Sequence, residues 1–111
     1  MKIDFVRTGG FAGLRLALSV DTDNLESEQA SELETLVYDA DFFDLPSRRA
    51  DPTGAADRFQ FRLRISSSIR GHHQVTLPEA AVPERLLPLL NRLTALALDQ
   101  FKNYSPPSQT V

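Results

Sequence analysis

Two runs of alternating apolar and polar residues, joined by a short glycine-rich segment, constrain the fold of this chain most. Residues 1–7 place Ile3 and Phe5 on one side of an extended strand, and residues 14–21 alternate in the same way. The pattern predicts a β-hairpin. Its connection contains Gly9, Gly10, Phe11, Ala12 and Gly13. A tight hairpin needs only about two turn residues, so the extra glycines around one aromatic residue favour a rigid loop presented to a partner.

The rest of the chain predicts two helices and a second hairpin. Apolar residues at three- and four-residue spacing predict helices over 27–40 and 84–101. Alternation predicts strands over 58–65 and 73–77, joined by a turn. We therefore expect an α+β fold, a two-layer sandwich in which an antiparallel sheet of about four strands, made of two hairpins, carries the two main helices on one face.

The helix ends carry more specific signals. We expect Ser27 or Asn24 to cap the first helix, and Phe42 and Phe43 to close the core beyond it. Pro88 predicts a short turn before the main part of the second helix, because an interior proline removes a backbone hydrogen bond. The apolar stripe of the second helix runs from Leu86 to Phe101, and we expect it to be widened by Leu87, Leu89 and Leu96.

Composition limits the classes of function. The net charge of −3 argues against a nucleic-acid binder, and the absence of cysteine excludes disulfides and thiolate metal sites. His72 and His73 are neighbours on a predicted strand, so their side chains point to opposite faces and do not converge on one metal. The sequence shows no catalytic motif, so we expect a protein that is not an enzyme and holds no cofactor.

The two ends of the chain complete the predicted organisation. The N-terminal residues alternate like a strand rather than forming an apolar signal segment, and no run approaches the roughly 20 apolar residues that span a bilayer. We expect a cytoplasmic protein that is monomeric when free and binds neither membrane nor nucleic acid. Residues 1–102 are expected to form one domain, residues 103–111 a flexible tail, and residues 47–57 a mobile loop.

The third predicted strand carries a row of arginines, which has two interpretations. Alternation places the arginines opposite the apolar side chains, on an open sheet face. That face is expected to carry Arg15, Arg58, Gln60, Arg62, Arg64 and Thr76. It is either a solvated surface whose positive charges balance those of the acidic first helix, or a surface that binds an acidic partner.

Six short motifs occur together in a fixed order. They are Lys2-Ile3, Gly9-Gly10-Phe11-Ala12-Gly13, Val20-Asp21-Thr22-Asp23, Ala40-Asp41-Phe42-Phe43, Asp57-Arg58-Phe59-Gln60-Phe61 and Pro78-Glu79-Ala80-Ala81. Their order and spacing resemble the emfourin family, small bacterial protein inhibitors of protealysin-like, thermolysin-type zinc metallopeptidases. The resemblance implies an inhibitor that occludes the active-site cleft of a peptidase made by the same cell.

The resemblance also suggests which residues contact the peptidase. The expected contact residues are Arg7, Gly9, Gly10, Phe11, Ala12, Gly13, Arg15, Arg48 and Arg49. Phe11 either anchors the loop in an apolar pocket of the peptidase or folds back as a plug over the sheet edge. Zinc ligation is disfavoured, because the loop offers only backbone carbonyls. The alternative function is a non-inhibitory interaction module that binds an acidic partner through the arginine-rich face.

Overall fold

A computed structural model of the chain describes residues 1–9, 14–47 and 59–102. Its regular elements are β1 (Lys2–Gly9), β2 (Leu14–Asp21), α1 (Ser27–Asp39), β3 (Gln60–Ser67), β4 (Gly71–Pro78) and α2 (Leu87–Lys102). Short 3₁₀ turns lie at Thr22–Asn24, Phe42–Asp44, Glu79–Ala81 and Glu84–Leu86. Neither helix combines the length and apolar character that crossing a membrane requires, as far as the described residues extend.

The strands form one antiparallel sheet in the order β2-β1-β3-β4, so each hairpin contributes one central and one edge strand. The predicted α+β architecture is confirmed. The β3–β4 turn is shorter than the sequence predicts, because β3 continues to Ser67 and β4 already begins at Gly71. Gly71 has φ +76°, a conformation that glycine adopts without the steric penalty that other residues incur.

The core lies between one face of the sheet and both helices. Alternate residues of the central strands, such as Ile3, Phe5 and Leu63, are almost completely buried there. The helices pack against these strand residues through side chains that are fully or nearly fully buried, namely those of Leu33, Val37, Leu89, Leu93 and Ala97. Burying one such side chain contributes about 1.5–3 kcal/mol. Both helices therefore cover the same sheet face, as expected.

The segment after α1 closes the core as the sequence predicts. Phe42 is completely buried, and its ring meets that of Phe43 edge to face with the centroids 5.4 Å apart. The residue before them, Asp41, has φ 51°, in the left-handed region in which helices commonly end. The carboxylate of Asp41 forms an ion pair with Arg85 at the start of the second helical segment.

The helix starts are predicted less well. Pro88 is the second residue of α2 and follows a 3₁₀ turn, as expected, because the first turn of a helix tolerates a missing N–H. The predicted caps of α1 are wrong. Ser27 already lies inside the helix, Asn24 belongs to the preceding 3₁₀ turn, and Glu26 occupies the cap position without a side-chain hydrogen bond.

Two further expectations concern the stripe of α2. Leu89 is completely buried, but Leu87 is 42% exposed, so its predicted place in the buried stripe is wrong. Leu87 follows buried Leu86 as the first helical residue, and it lines a cavity beside Phe59 and Phe61 instead of packing in the core. Phe101, the tail 103–111 and most of the predicted 47–57 loop lie outside the residues whose side chains or backbone the structure describes.

The open face of the sheet carries exposed Arg15, Gln60, Arg62 and Arg64, as predicted, while Arg58 lies outside the described residues. The acidic helix α1 packs on the opposite face of the sheet, so its carboxylates do not pair with these arginines. Glu32 instead forms an ion pair with Arg92 of α2. The first interpretation of the arginine row is therefore wrong about its charge partners.

Candidate functional site

The base of the glycine-rich hairpin is held by continuous strand pairing. The register of β1 and β2 runs from Lys2 opposite Asp21 to Gly9 opposite Leu14. Gly9 has φ 112°, which explains why glycine stands where the loop begins. The candidate residues Gly10, Phe11, Ala12 and Gly13 lie outside the described residues, so both interpretations of Phe11 stay predictions. Because the sheet fixes both ends of this four-residue connection, it starts and finishes on a rigid frame.

The topology brings a second candidate segment to the same end of the sheet. Across the strands, Thr8 lies opposite Gln60, which in turn lies opposite Pro78. The hairpin loop, the start of β3 and the end of β4 therefore share one edge. We call this edge, formed by Gly9, Leu14, Gln60 and Pro78, the hairpin end.

Both ends of residues 48–58 are tied near the hairpin end. The carbonyl of Ser47 accepts a 2.9 Å hydrogen bond from the N–H of Thr76 in β4. The carbonyl of Phe59 accepts a 2.9 Å hydrogen bond from the N–H of Glu79, just beyond β4. Arg48 and Arg49 themselves lie outside the described residues, but the chain enters and leaves their segment close to the hairpin loop.

The structure separates the two described candidate arginines. Arg15 lies opposite Thr8 and is exposed on the open face. Arg7 shares the face of Phe5, so it points under the helices and is half-buried. Its guanidinium carbon lies 3.9 Å from the centroid of the Phe59 ring. Arg7 therefore contacts the protein itself, at the point where the 48–58 segment rejoins the sheet.

The surroundings of Arg7 form a small cavity of about 250 Å³ between the sheet and α2. Its walls include Phe61, Leu90, Asn91 and Thr94. The Nε atom of Arg7 is buried there, and it has no hydrogen-bond partner among residues 1–9, 14–47 and 59–102. A cation–π contact typically contributes about 0.5–2 kcal/mol, whereas an unpaired buried donor costs about 1–3 kcal/mol. The two effects are comparable in size and opposite in sign. A net gain in folding stability therefore does not explain why an arginine occupies position 7.

The stack of Arg7 on Phe59 is the feature that the sequence interpretation missed. Its position beside the glycine loop in sequence predicts that Arg7 contacts the partner. The period-two pattern that buries Ile3 and Phe5 places Arg7 on their side, and the same pattern along β3 places Phe59 there as well. The signal was therefore present in the alternation of both strands.

The histidines lie at the other end of the sheet. His73 faces Ile65 in the register, and its Nε2 atom lies 2.7 Å from the carbonyl oxygen of Leu45. Its ring also meets Phe42 edge to face. The neighbouring His72 is exposed. Within the described residues, no cluster of three or more histidine, cysteine or acidic side chains could hold a metal ion.

The comparison with protein families gives one match. The family model described as Emfourin matches residues 5–94, from the middle of β1 into α2. The match therefore covers both hairpins and most of the helical layer. No curated protein and no solved structure matches the chain significantly.

Proposed function

The chain belongs to the emfourin family, an inhibitor family, and from this we propose that it is a protein inhibitor of a thermolysin- or protealysin-like zinc metallopeptidase. In this proposal the hairpin end enters or covers the active-site cleft and excludes substrate sterically. Phe11 occupies an apolar pocket of the peptidase, and the chain itself catalyses no reaction. The expected partner is a peptidase from the same cell.

The observation that carries the proposal, beside family membership, is the shared location of the two candidate segments. A stable interface buries about 800 Å² on each partner, which exceeds what a four-residue loop provides. The hydrogen bonds of Ser47 with Thr76 and of Phe59 with Glu79 hold the two residues that flank 48–58 near the hairpin end. Arg48 and Arg49 can then extend the contact surface around Phe11.

Strand pairing at the base of the loop also favours tight binding. Association costs free energy when a loop must be ordered on binding. The register reaches Gly9 opposite Leu14, so both ends of the loop are already in place before the partner arrives. Less conformational entropy then remains to be lost when the complex forms.

The positions of the histidines argue against ligation of the peptidase's zinc by imidazole. Zinc in proteins is bound mainly by cysteine, histidine and carboxylate side chains. The chain has no cysteine, and His72 and His73 lie at the end of the sheet opposite the hairpin end. With the hairpin end in a cleft, neither imidazole reaches the metal of the peptidase.

A titration tests the proposal directly. The purified chain is added stepwise to a thermolysin-like peptidase while cleavage of a fluorogenic peptide is followed. We expect activity to fall in proportion to added inhibitor until the two proteins are equimolar, and added zinc to leave the curve unchanged. Full peptidase activity in the presence of excess chain, tested on peptidases of both types, would contradict the proposed function. Recovery of activity with zinc would contradict the steric mechanism.

A further inference from the structure

The described arginines differ in what their guanidinium groups contact. Those away from the open face pair with a carboxylate or stack on a ring: Arg70 with Asp44, Arg85 with Asp41, Arg92 with Glu32 and Arg7 with Phe59. Arg15, Arg62 and Arg64, by contrast, form no ion pair with any described residue. All three are exposed on the open face of the sheet. The cationic groups without an internal partner are thus concentrated on one surface.

The nearest carboxylate in the strand register, that of Asp4, forms no ion pair with Arg64 in the described structure. Asp4 lies directly opposite Arg64, but it accepts a 2.6 Å hydrogen bond from the hydroxyl of Ser19 on the other side. Arg62 lies between Val6 and Thr76, which carry no charge. The middle of this face is therefore basic, although the chain as a whole carries a net charge of −3.

The open face also has the shape of a binding surface. A shallow depression of about 480 Å³ crosses the strands. It is lined by Thr8, Arg15, Gln60, Arg62, Gln74 and Thr76. Arg62 and Arg64 are two residues apart on one strand, which separates their Cα atoms by about 7 Å. Alternate residues of an extended peptide have the same spacing, so acidic side chains at those positions can face both arginines.

We propose that this open face is a second interaction surface, which binds an extended acidic segment of another protein. Guanidinium groups recognise carboxylates through paired hydrogen bonds, and the amide and hydroxyl groups of Gln60, Gln74 and Thr76 supply neutral partners for the peptide backbone. The surface adjoins the proposed inhibitory edge at Gln60 and Arg15, but its two central arginines, Arg62 and Arg64, lie inside the sheet rather than at the hairpin end.

Other occupants fit less well. The described part of the open face presents no phenylalanine, tyrosine or tryptophan on which nucleic-acid bases could stack, and the net charge is negative. A second copy could offer the acidic outer face of α1. That contact would join two different faces of identical chains, so it would not form a two-fold symmetric dimer.

The experiment measures binding of a labelled peptide of alternating glutamate and serine by fluorescence anisotropy at low salt. The test variant is Arg62→Gln with Arg64→Gln. The matched control is Arg70→Gln with Arg85→Gln, which removes the same charge from exposed arginines elsewhere. We expect the test variant to bind the peptide about tenfold more weakly and the control to stay within about twofold of the unmodified chain. Both variants are expected to melt cooperatively and to inhibit the peptidase as the unmodified chain does.

Four outcomes would overturn the proposal. The first is an equal loss of peptide binding in the control variant, because binding would then depend on the net charge of the protein and not on the open face. The second is equal binding of a lysine-serine peptide. The third is tighter binding of an oligonucleotide of the same charge. The fourth is self-association that light scattering detects in the unmodified chain and not in the test variant, which would identify the occupant as a second copy.

Discussion

At the scale of single residues, Arg7 and Phe11 have different roles at the hairpin end. Arg7 stacks on Phe59 and so joins the strand that leads into the glycine loop to the strand that follows residues 48–58. Its side chain is half-buried under α2. We therefore treat Arg7 as a positioning residue, whereas Phe11 is proposed to touch the peptidase.

Replacing Arg7 by methionine tests the positioning role. Methionine keeps an apolar side chain in the cavity but removes both the stacked guanidinium and its unpaired Nε. We expect the free energy of unfolding to change by about 1 kcal/mol or less, because the lost cation–π contact and the relieved desolvation oppose each other. Inhibition should weaken by about tenfold. Arg62→Met is the matched control, and unchanged inhibition by Arg7→Met would contradict the role.

Phe11→Ala distinguishes an anchor from a plug. An aromatic anchor in an apolar pocket typically loses about 2 kcal/mol of binding free energy on truncation, which corresponds to roughly 30-fold weaker inhibition. We expect that loss together with an unchanged melting temperature. The measurements are an inhibition titration and a thermal melt on the same sample. Unchanged inhibition with a lower melting temperature would place Phe11 in the core instead.

At the scale of elements, the α1–Asp41 junction links the end of the first helix to the turn that precedes the second. Asp41 ends the helix in a left-handed conformation, and its carboxylate pairs with Arg85 ahead of α2. Aspartate adopts this conformation more readily than most residues, because its short polar side chain can hydrogen-bond locally. Both groups of the pair are more than half exposed, so the ion pair itself contributes little.

Substitutions at Asp41 separate the two effects. Asp41→Ala should lower the free energy of unfolding by about 1–2 kcal/mol, because alanine is strained at positive φ. Asp41→Gly removes the same ion pair without that strain, so it should cost less than the alanine variant. Denaturant unfolding of both variants, with Asp39→Ala as a control in the last turn of α1, provides the measurement. Equal losses in the alanine and glycine variants would assign the effect to the ion pair.

The alternation of residues predicted the sheet because each strand has one face in the core. Ile3 and Phe5 on β1, and Leu63 and Ile65 on β3, follow that rule without exception. The capping of α1 was not predictable, because the actual cap residue, Glu26, makes no side-chain hydrogen bond. Arg48 and Arg49 are expected from the sequence as contact residues, but the attachment of their segment near the hairpin end was not predictable. It depends on the hydrogen bond between Ser47 and Thr76, which lie on elements far apart in sequence.

At the scale of the whole molecule, two surfaces rely on different forces. The hairpin end is proposed to bind through an aromatic side chain in an apolar pocket. The open face is proposed to bind through arginines that have no ion-pair partner among the described residues. The first depends mainly on removing apolar surface from water, and the second depends on charge that dissolved salt screens.

Salt separates the two surfaces in one experiment. Raising the ionic strength from about 0.1 M to about 1 M shortens the screening length from about 10 Å to about 3 Å. We expect inhibition of the peptidase to change by about threefold or less, while binding of the acidic peptide falls by more than about tenfold. Inhibition titrations and anisotropy measurements in the same buffers provide the comparison. A parallel loss in both assays would mean that the hairpin end also binds through charge.

The pairing of β1 with β2 ends at Gly9 and Leu14, and this has a consequence for how the preferred peptidase can change. The core formed by the described residues lies farther along the strands and on the helical side, so a loop whose Phe11 anchors in the peptidase, as proposed, leaves that core unchanged. Different sequences at residues 10–13 can therefore be combined with the same sheet and helices. A shift in the preferred protease then requires exchange of a few residues rather than redesign of the molecule.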